Sequence, residues 1–208
     1  MHETRARIIT ATNELFRRKG YNATSLSDVS AGAGAPTGSI YHFFPGGKRA
    51  LAEAVIVESA DGYRQLFELI ADEAGDIASA VTAFFDGAAV VLEETDFIDI
   101  CPIGTVAREV ASTDDDLRRA SAAAFDSWID AATTRFRDAG IADAEAAALA
   151  GTLVATLEGT FVLARTLRDI SVLHTAGAHV RTLVEAALPA RRPTARRPTA
   201  GRRPAAAG

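Results

Sequence analysis

Residues 24–51 read TSLSDVSAGAGAPTGSIYHFFPGGKRAL and predict two short helices joined by a tight turn. Ser25 is a candidate N-cap, and Asp28 lies three residues later, so the pair forms a capping box that begins the first helix. Gly34 favours a turn because glycine adopts positive φ without strain, and Pro36 suits the start of the next helix. This spacing is typical of a helix-turn-helix motif.

The second predicted helix covers residues 37–44 and leaves small polar side chains on its outer face. Such side chains reach base edges when the N-terminal part of a helix enters the major groove of DNA. A Pro-Gly-Gly break follows, and Lys48 then opens a long helix at an end where backbone amides attract phosphate. The expected groove-facing residues are Thr37, Gly38, Ser39 and His42. The expected core of the motif consists of Leu26, Val29, Ile40, Tyr41 and Phe44.

The same residues resemble the N-terminal pattern of the TetR family of bacterial transcriptional regulators. That pattern runs from a threonine pair through a glycine turn to Gly-Ser/Thr-Leu/Ile-Tyr-x-x-Phe and a lysine. It is met by Thr24, Ser25, Gly34, Gly38, Ser39, Ile40, Tyr41, Phe44 and Lys48. The resemblance implies an N-terminal three-helix DNA-binding domain, with phosphate contacts from Thr24, Ser25, Tyr41 and Lys48 and groove contacts from the four residues named above.

Within this family, the Pro-Gly-Gly-Lys segment and the later CPIG at residues 101–104 resemble the LmrA-like branch most. Two positions depart from the family pattern. Pro36 stands where members often carry a serine cap, and Thr37 stands where many carry Lys or Arg. The resemblance therefore predicts one phosphate or guanine contact fewer in this chain.

Two other interpretations of the motif are weaker. A P-loop needs a glycine five residues before its Gly-Lys pair and a hydroxyl after it, but His42 and Arg49 occupy those positions. A purely structural helical hairpin would not need the exposed Gly-Ser-x-Tyr-His face. DNA binding is therefore the favoured interpretation.

Charge is distributed unevenly along the chain. Residues 1–50 hold seven Lys/Arg against three Asp/Glu, residues 51–188 hold nine against 24, and residues 189–208 hold six Arg and no acid. A basic N-terminal segment on an acidic body is typical of a protein that meets nucleic acid at one end. The Arg-Arg-Pro repeat of residues 189–208 predicts a disordered basic tail that adds to non-specific DNA affinity, with an inert extension as the alternative.

The length and composition bound the class of protein. A chain of 208 residues with 48% hydrophobic residues can bury a sizeable core. Cys101 is the single cysteine, which excludes an internal disulfide. We recognise no leader peptide and no apolar run of about 18 residues, so we expect a cytoplasmic protein without a membrane span.

Apolar residues recur at helical spacing along most of the chain, which predicts an all-α protein. We expect a helix-turn-helix DNA-binding domain over residues 1–50 and a helical ligand-binding and dimerisation domain over residues 51–188, followed by the tail. The apolar but irregular residues 97–104 are expected to line a cavity. The other predicted helices cover residues 4–19, 48–72, 76–94, a short segment ending near 111, and residues 114–139, 143–168 and 171–188.

Aromatic side chains fall on several of these helices and predict an apolar ligand cavity in the body. Glu158 lies inside the apolar run LVATLEGTFVLA, where an unpaired carboxylate is costly, and it is the expected polar anchor. Pairing with a residue such as Arg165, or a place in a dimer interface, is the alternative for Glu158. A redox role of Cys101 is not favoured, because apolar surroundings oppose thiol ionisation. The expected lining residues are Phe84, Phe85, Phe97, Cys101, Phe125, Trp128, Glu158 and Phe161.

The last two predicted helices carry more apolar faces than one small body covers, which indicates a homodimer. Two recognition helices about 34–36 Å apart can then read a palindromic operator in double-stranded DNA. We therefore expect a sequence-specific transcriptional regulator, a repressor released by a small apolar or aromatic effector. The alternative is a constitutive or architectural DNA-binding dimer without a cavity.

Catalysis, a cofactor and a metal site are not expected. Three consecutive acids at residues 114–116 diverge around a helix, so capping explains them better than metal binding. The four histidines are scattered, and the five-residue separation of His174 and His179 does not align them as ligands.

Overall fold

The computed structural model describes residues 2–190, and this part of the chain forms nine helices without a strand. The all-α prediction is therefore confirmed. Most of the predicted basic tail, residues 191–208, lies outside the described residues. The helices are α1 (His2–Lys19), α2 (Leu26–Ala33), α3 (Thr37–Phe43), α4 (Lys48–Glu73), α5 (Ile77–Glu94), α6 (Pro102–Val110), α7 (Asp115–Asp138), α8 (Asp143–Leu167) and α9 (Ser171–Ala187).

Helices α1, α2 and α3 pack into a small head. The buried side chains of Ile8 and Phe16 on α1 meet those of Val29 on α2 and Ile40 on α3. Tyr41 was expected in this core, but its side chain is 53% exposed. The prediction is wrong because Ile40 already points inward, and the next residue on a helix turns about 100° away.

Helix α4 connects the head to the body. It runs without a break through Gly62, and the predicted domain boundary at residue 50 falls inside its first turn. In the body, α7 packs against α4, α6 and α8, while α9 packs against α5 and α8. The head reaches the body through contacts of α1 with α4 and α6.

The segment before α6 is shorter than predicted, because Pro102 and Gly104 are already helical. Proline suits a first helical turn, and the Cys101 Sγ accepts a hydrogen bond from the Gly104 amide at 3.3 Å, which caps α6. Ahead of this helix, Asp96 and Phe97 both adopt left-handed conformations, with φ of 53° and 61°. The chain turns sharply there and brings Asp99 toward the head.

The acids before α7 act as predicted for a helix start. The Asp114 carboxylate accepts hydrogen bonds from the amides of Asp116 and Leu117, both at 3.1 Å, and so caps the helix. Asp115 forms ion pairs with Arg118 and Arg119 one turn later.

Helix α8 contradicts the expectation that the chain has no long apolar run. Within residues 2–190 it is the single helix long and apolar enough to cross a membrane by length and composition, whereas no such run was predicted. Its residues Ala150, Leu153 and Leu157 are buried, and the helix packs against α7 and α9. Its composition is therefore that of a core helix.

The close approach of α5 and α9 depends on Gly177. A Cβ atom at this position would lie 2.7 Å from the Phe85 Cβ, and Phe85 is fully buried. Substitution by any larger residue therefore forces the two helices apart.

We expect Gly177→Ala to lower the free energy of unfolding by about 1–3 kcal/mol through overpacking. Gly62→Ala is the matched control, because nothing lies within 4 Å of a Cβ there, and it should raise stability by about 0.5–1 kcal/mol. Urea unfolding followed by circular dichroism measures both. Equal stability of Gly177→Ala and the unaltered protein would show that this contact relaxes without cost.

Candidate functional site

The turn between α2 and α3 forms as the sequence predicts. The Ser25 hydroxyl accepts from the Asp28 amide at 3.1 Å, while the Asp28 carboxylate accepts from the Ser25 amide at 2.9 Å. Gly34 ends α2 in the left-handed conformation with φ 57°, and Pro36 precedes α3. This geometry holds α3 at the surface of the head.

One face of α3 is open to solvent. Thr37 and Tyr41 are four residues apart, as are Gly38 and His42, so all four lie on neighbouring turns. All four are exposed, while Ser39 is half-buried. The residues predicted to read a groove are thus accessible on one side of a short helix.

The three other predicted DNA contacts are partly engaged within the protein. Thr24 is only 2% exposed, and its hydroxyl donates to the Gly20 carbonyl at 2.7 Å, so that hydroxyl is not offered to DNA. Ser25 is exposed, but its hydroxyl caps α2. The Lys48 ammonium donates to the Asn22 carbonyl at 3.1 Å and lies 4.5 Å from the Tyr21 ring centre. Two of the three N–H donors of the Lys48 ammonium remain for a phosphate.

Two basic residues at the end of α1 pair with acids of the protein. Arg17 faces the body, where its Nη1 donates to both carboxylate oxygens of Asp99 at 2.5 and 2.6 Å. Lys19 pairs with Asp28 at 2.8 Å. The exposed ion pair of Lys19 is weak, so Lys19 can leave Asp28 for a phosphate. Arg17 is half-buried and remains paired with Asp99 of the body.

A cavity of about 240 Å³ opens in the body between α4, α5, α7 and α8. Its wall is mostly apolar, and its charged or thiol side chains are those of Arg64, Asp99, Cys101 and Glu158. Phe67 and Phe84 are neighbours in this wall and meet edge to face, with ring centres 5.3 Å apart. A cavity of this character fits a small apolar molecule.

Five of the eight residues predicted to line this cavity do so, namely Phe84, Cys101, Trp128, Glu158 and Phe161. Phe85 points instead into the α5–α9 interface. Phe97 lies under the Arg168 guanidinium, 4.7 Å from its ring centre, and Phe125 packs behind Trp128 with ring centres 5.5 Å apart. These three side chains stabilise the body from outside the cavity.

Sequence reasoning missed the α4 side of the wall, which includes Tyr63 and Phe67. The two rings are four residues apart and therefore share a helix face, but the sequence does not tell which helix that face meets. Tyr63 contacts Trp128 edge to face at 5.5 Å. The Trp128 Nε1 donates to the Ala60 carbonyl at 2.9 Å and fastens α7 to α4.

Glu158 forms the polar end of the cavity. Its carboxyl lies against Gly104, where any Cβ atom would collide with Oε2, and beside the Cys101 thiol. Burial raises the pKa of Glu158, an effect that the Cys101 thiol and Arg108 oppose. The suggested partner Arg165 instead donates to the Arg18 carbonyl at 3.2 Å. Burial likewise raises the pKa of the Cys101 thiol, which agrees with the expectation that it resists ionisation.

Two sets of bonds join the cavity wall to the head. Besides the two carboxylate contacts, Arg17 donates through Nη2 to the Tyr63 hydroxyl at 3.4 Å, so one arginine of α1 binds two cavity-lining residues. At the far end of α6, the Glu109 carboxylate accepts from the amides of Tyr21 and Asn22 at 3.0 and 2.6 Å. The turn after α1 is therefore held by the helix that begins at the cavity.

Comparison with known proteins decides the family. Residues 8–55 match the bacterial regulatory proteins of the tetR family, and residues 77–179 match the C-terminal domain of LmrA/YxaF-like transcriptional regulators. The uncharacterized HTH-type transcriptional regulator Rv0196 of Mycobacterium tuberculosis is 36% identical over 196 residues, which cover 92% of this chain and 99% of that protein. The chain belongs to the TetR family.

Further similarity extends over the length of this TetR-family chain. The uncharacterized HTH-type transcriptional regulator YxaF of Bacillus subtilis is 30% identical, with 88% of this chain and 95% of that protein covered. A TetR regulator crystal structure from Chloroflexus aurantiacus superposes with a TM-score of 0.76 at 29% identity, over 90% of this chain and 96% of that one. The protein is a DNA-binding transcriptional regulator and, as its relatives are, not an enzyme.

In this TetR-family body, Glu158 should make stability depend on pH. An unfolded glutamate ionises near pH 4.3, whereas burial raises the pKa of folded Glu158. Above that pH the folded state holds the proton more tightly, so ionisation reduces stability as pH rises to the folded pKa. We expect the free energy of unfolding of Glu158→Gln to increase relative to the unaltered protein as the pH rises from about 4.3 toward the folded pKa of Glu158.

Glu145→Gln is the control for this measurement, because Glu145 is an exposed residue near the start of the same helix. Urea unfolding at several pH values gives the two differences. Parallel pH profiles for Glu158→Gln and the unaltered protein would show that the Glu158 carboxyl is solvated in the folded state.

Proposed function

We propose that the protein is a homodimeric repressor that acts in the cytoplasm, binds a palindromic operator and leaves it when a small effector enters the body cavity. The observation that supports effector control is the double role of Asp99 and Tyr63. Both line the cavity, and both accept hydrogen bonds from Arg17 in the head. A molecule that displaces either side chain therefore acts on the position of α1.

Helix α6 supplies a second connection. It begins where Glu158 presses on Gly104 and ends at Glu109, which holds the turn after α1. Nine residues of α-helix form a rigid rod about 13 Å long. Movement of Glu158 against α6 is thus passed to the turn that precedes the helix-turn-helix.

An effector can shift the equilibrium between two arrangements of the heads only by preferring one of them. The bonds of Arg17 and Glu109 favour the arrangement without effector. An effector that fits a cavity with Asp99 or α6 displaced favours the other. In a dimer, a change in the separation of the two α3 helices reduces operator affinity because both half-sites can no longer be bound together.

Exposed apolar side chains support the dimer. Val162, Leu163 and Leu167 are exposed on α8, and Leu183 is exposed on α9. The two helices pack on each other. A second copy that covers this surface would form a four-helix interface with two-fold symmetry.

The first prediction from this proposal concerns the α3 face. Tyr41→Ala should weaken binding about tenfold for operator and unrelated DNA alike, through loss of a phosphate contact. Thr37→Ala should change the preference among operator variants, because Thr37 faces the groove. Mobility shifts with fragments around the protein's own gene measure both, with exposed Thr134→Ala on α7 as the control. Unchanged DNA affinity of folded Tyr41→Ala would exclude this face.

The second prediction separates effector binding from its transmission. Compounds are screened with Trp128, the single tryptophan, whose fluorescence should change over the concentration range that releases the operator. In Asp99→Asn the fluorescence change should persist, while the effect of the same compound on operator affinity falls about tenfold, because Arg17 no longer pairs with a charged wall residue. Asp72→Asn removes the Arg135 ion pair inside the body and is the matched control.

Two outcomes would contradict the proposal. Equal operator release in Asp99→Asn and the unaltered protein would exclude the Arg17 connection. A screen in which no compound changes both Trp128 fluorescence and operator affinity would favour constitutive DNA binding.

A further inference from the structure

The cavity is acidic at its polar end. Among its lining residues the ionisable acids are Asp99 and Glu158, and the single base is Arg64. Arg64 is already bound, since its Nη1 donates to Glu68 at 2.9 Å and its Nη2 lies 3.5 Å from Asp61. Asp99 is bound by Arg17. Glu158 is therefore the acidic residue that the cavity leaves for a ligand.

The Glu158 carboxyl forms no ion pair in the described part of the chain. Its Oε1 is sealed from solvent and has no hydrogen-bond partner within residues 2–190. Arg108 acts on the charge of Glu158 but forms no ion pair with it. Removing a carboxylate from water without pairing it is costly, and the cost is recovered when a cation binds beside it.

The aromatic part of the cavity wall suits a cation with an apolar body. Trp128, Tyr63, Phe67 and Phe84 line the cavity, and their rings contact one another edge to face. The faces of aromatic rings attract ammonium groups, and the attraction grows when water is excluded. The same rings bury the apolar part of a ligand.

We propose that the effector is an amphiphilic amine whose protonated nitrogen donates to the Glu158 carboxylate while its aromatic or aliphatic body lies between the α4, α5 and α7 rings. This inference rests on the proposed function, because it names the class of molecule that the effector cavity accepts. The pair forms at the carboxyl that presses on Gly104, so ligand binding draws Glu158 toward the cavity and away from α6.

Other ligand charges fit less well. An anion would meet Asp99 and Glu158 and would find Arg64 already paired with two acids. A neutral molecule would fill the apolar space but leave the Glu158 carboxyl without an ion-pair partner. Only a cation is attracted both by the aromatic rings of the wall and by the Glu158 carboxyl.

Three probes that share one ring system and differ in charge test the proposal. They are para-phenylbenzylamine, para-phenylbenzyl alcohol and para-phenylbenzoate. Isothermal titration of each into the full-length protein at neutral pH should show the amine binding at least about tenfold more tightly than the alcohol, with the benzoate weakest. In Glu158→Gln the preference for the amine over the alcohol should disappear, while the alcohol retains its affinity.

Glu145→Gln, an exposed change on the same helix, is the control and should retain the amine preference. Thermal unfolding confirms that each variant is folded. Comparison of the three probes on the unaltered protein also tests the proposal without any variant. Equal binding of amine and alcohol, retention of the amine preference in Glu158→Gln, or failure of all three probes to bind would overturn the proposal.

These results are distinguishable from failure of the proposed function. An alcohol that binds as tightly as the amine and releases the operator would overturn the cationic effector and support effector-controlled repression. An amine that binds with the expected preference but leaves operator affinity unchanged would support the cation site and contradict its regulatory role.

Discussion

The bond between Arg17 and Asp99 is the interaction on which the relation of head to body depends. It is half-buried, short and charge-assisted, and it links the end of α1 to the segment that leads into α6. Many other ion pairs of the described residues are exposed, as with Arg5 and Glu58, and these contribute little to stability. A half-buried pair is different, because loss of either partner leaves a poorly solvated charge.

Two residues with left-handed backbone precede Asp99 and determine where its ion pair with Arg17 forms. Asp96 and Phe97 are not glycines, and left-handed backbone costs such residues about 1–2 kcal/mol each. Arg168 offsets part of this cost, because its guanidinium covers the Phe97 ring and binds Asp96. The turn therefore stays sharp enough to bring Asp99 to Arg17.

The sequence predicted the parts of the structure that local rules determine. The capping box at Ser25, the glycine turn at Gly34 and the exposed face of α3 follow from neighbours in the chain, and the structure agrees. Tyr41 was misplaced by one position around a helix, which a pattern of large residues cannot resolve. The cavity was predicted less completely because its wall is built from distant helices, and neither the inward turn of Phe85 nor the contribution of Tyr63 has a local signal.

The hydrogen bond from Trp128 to the Ala60 carbonyl attaches α4 to α7 at a point near the middle of α4. Ala60 lies near the middle of a continuous 26-residue helix, with the cavity residues Tyr63 and Phe67 on one side and the head on the other. The helix segment from residue 60 to residue 48 is about 18 Å long, so a tilt of about 10° about the Ala60 attachment displaces the start of α4 by about 3 Å. A displacement of the start of α4 as wide as a base-pair step thus requires only a small rearrangement of the rings in the C-terminal half of the helix.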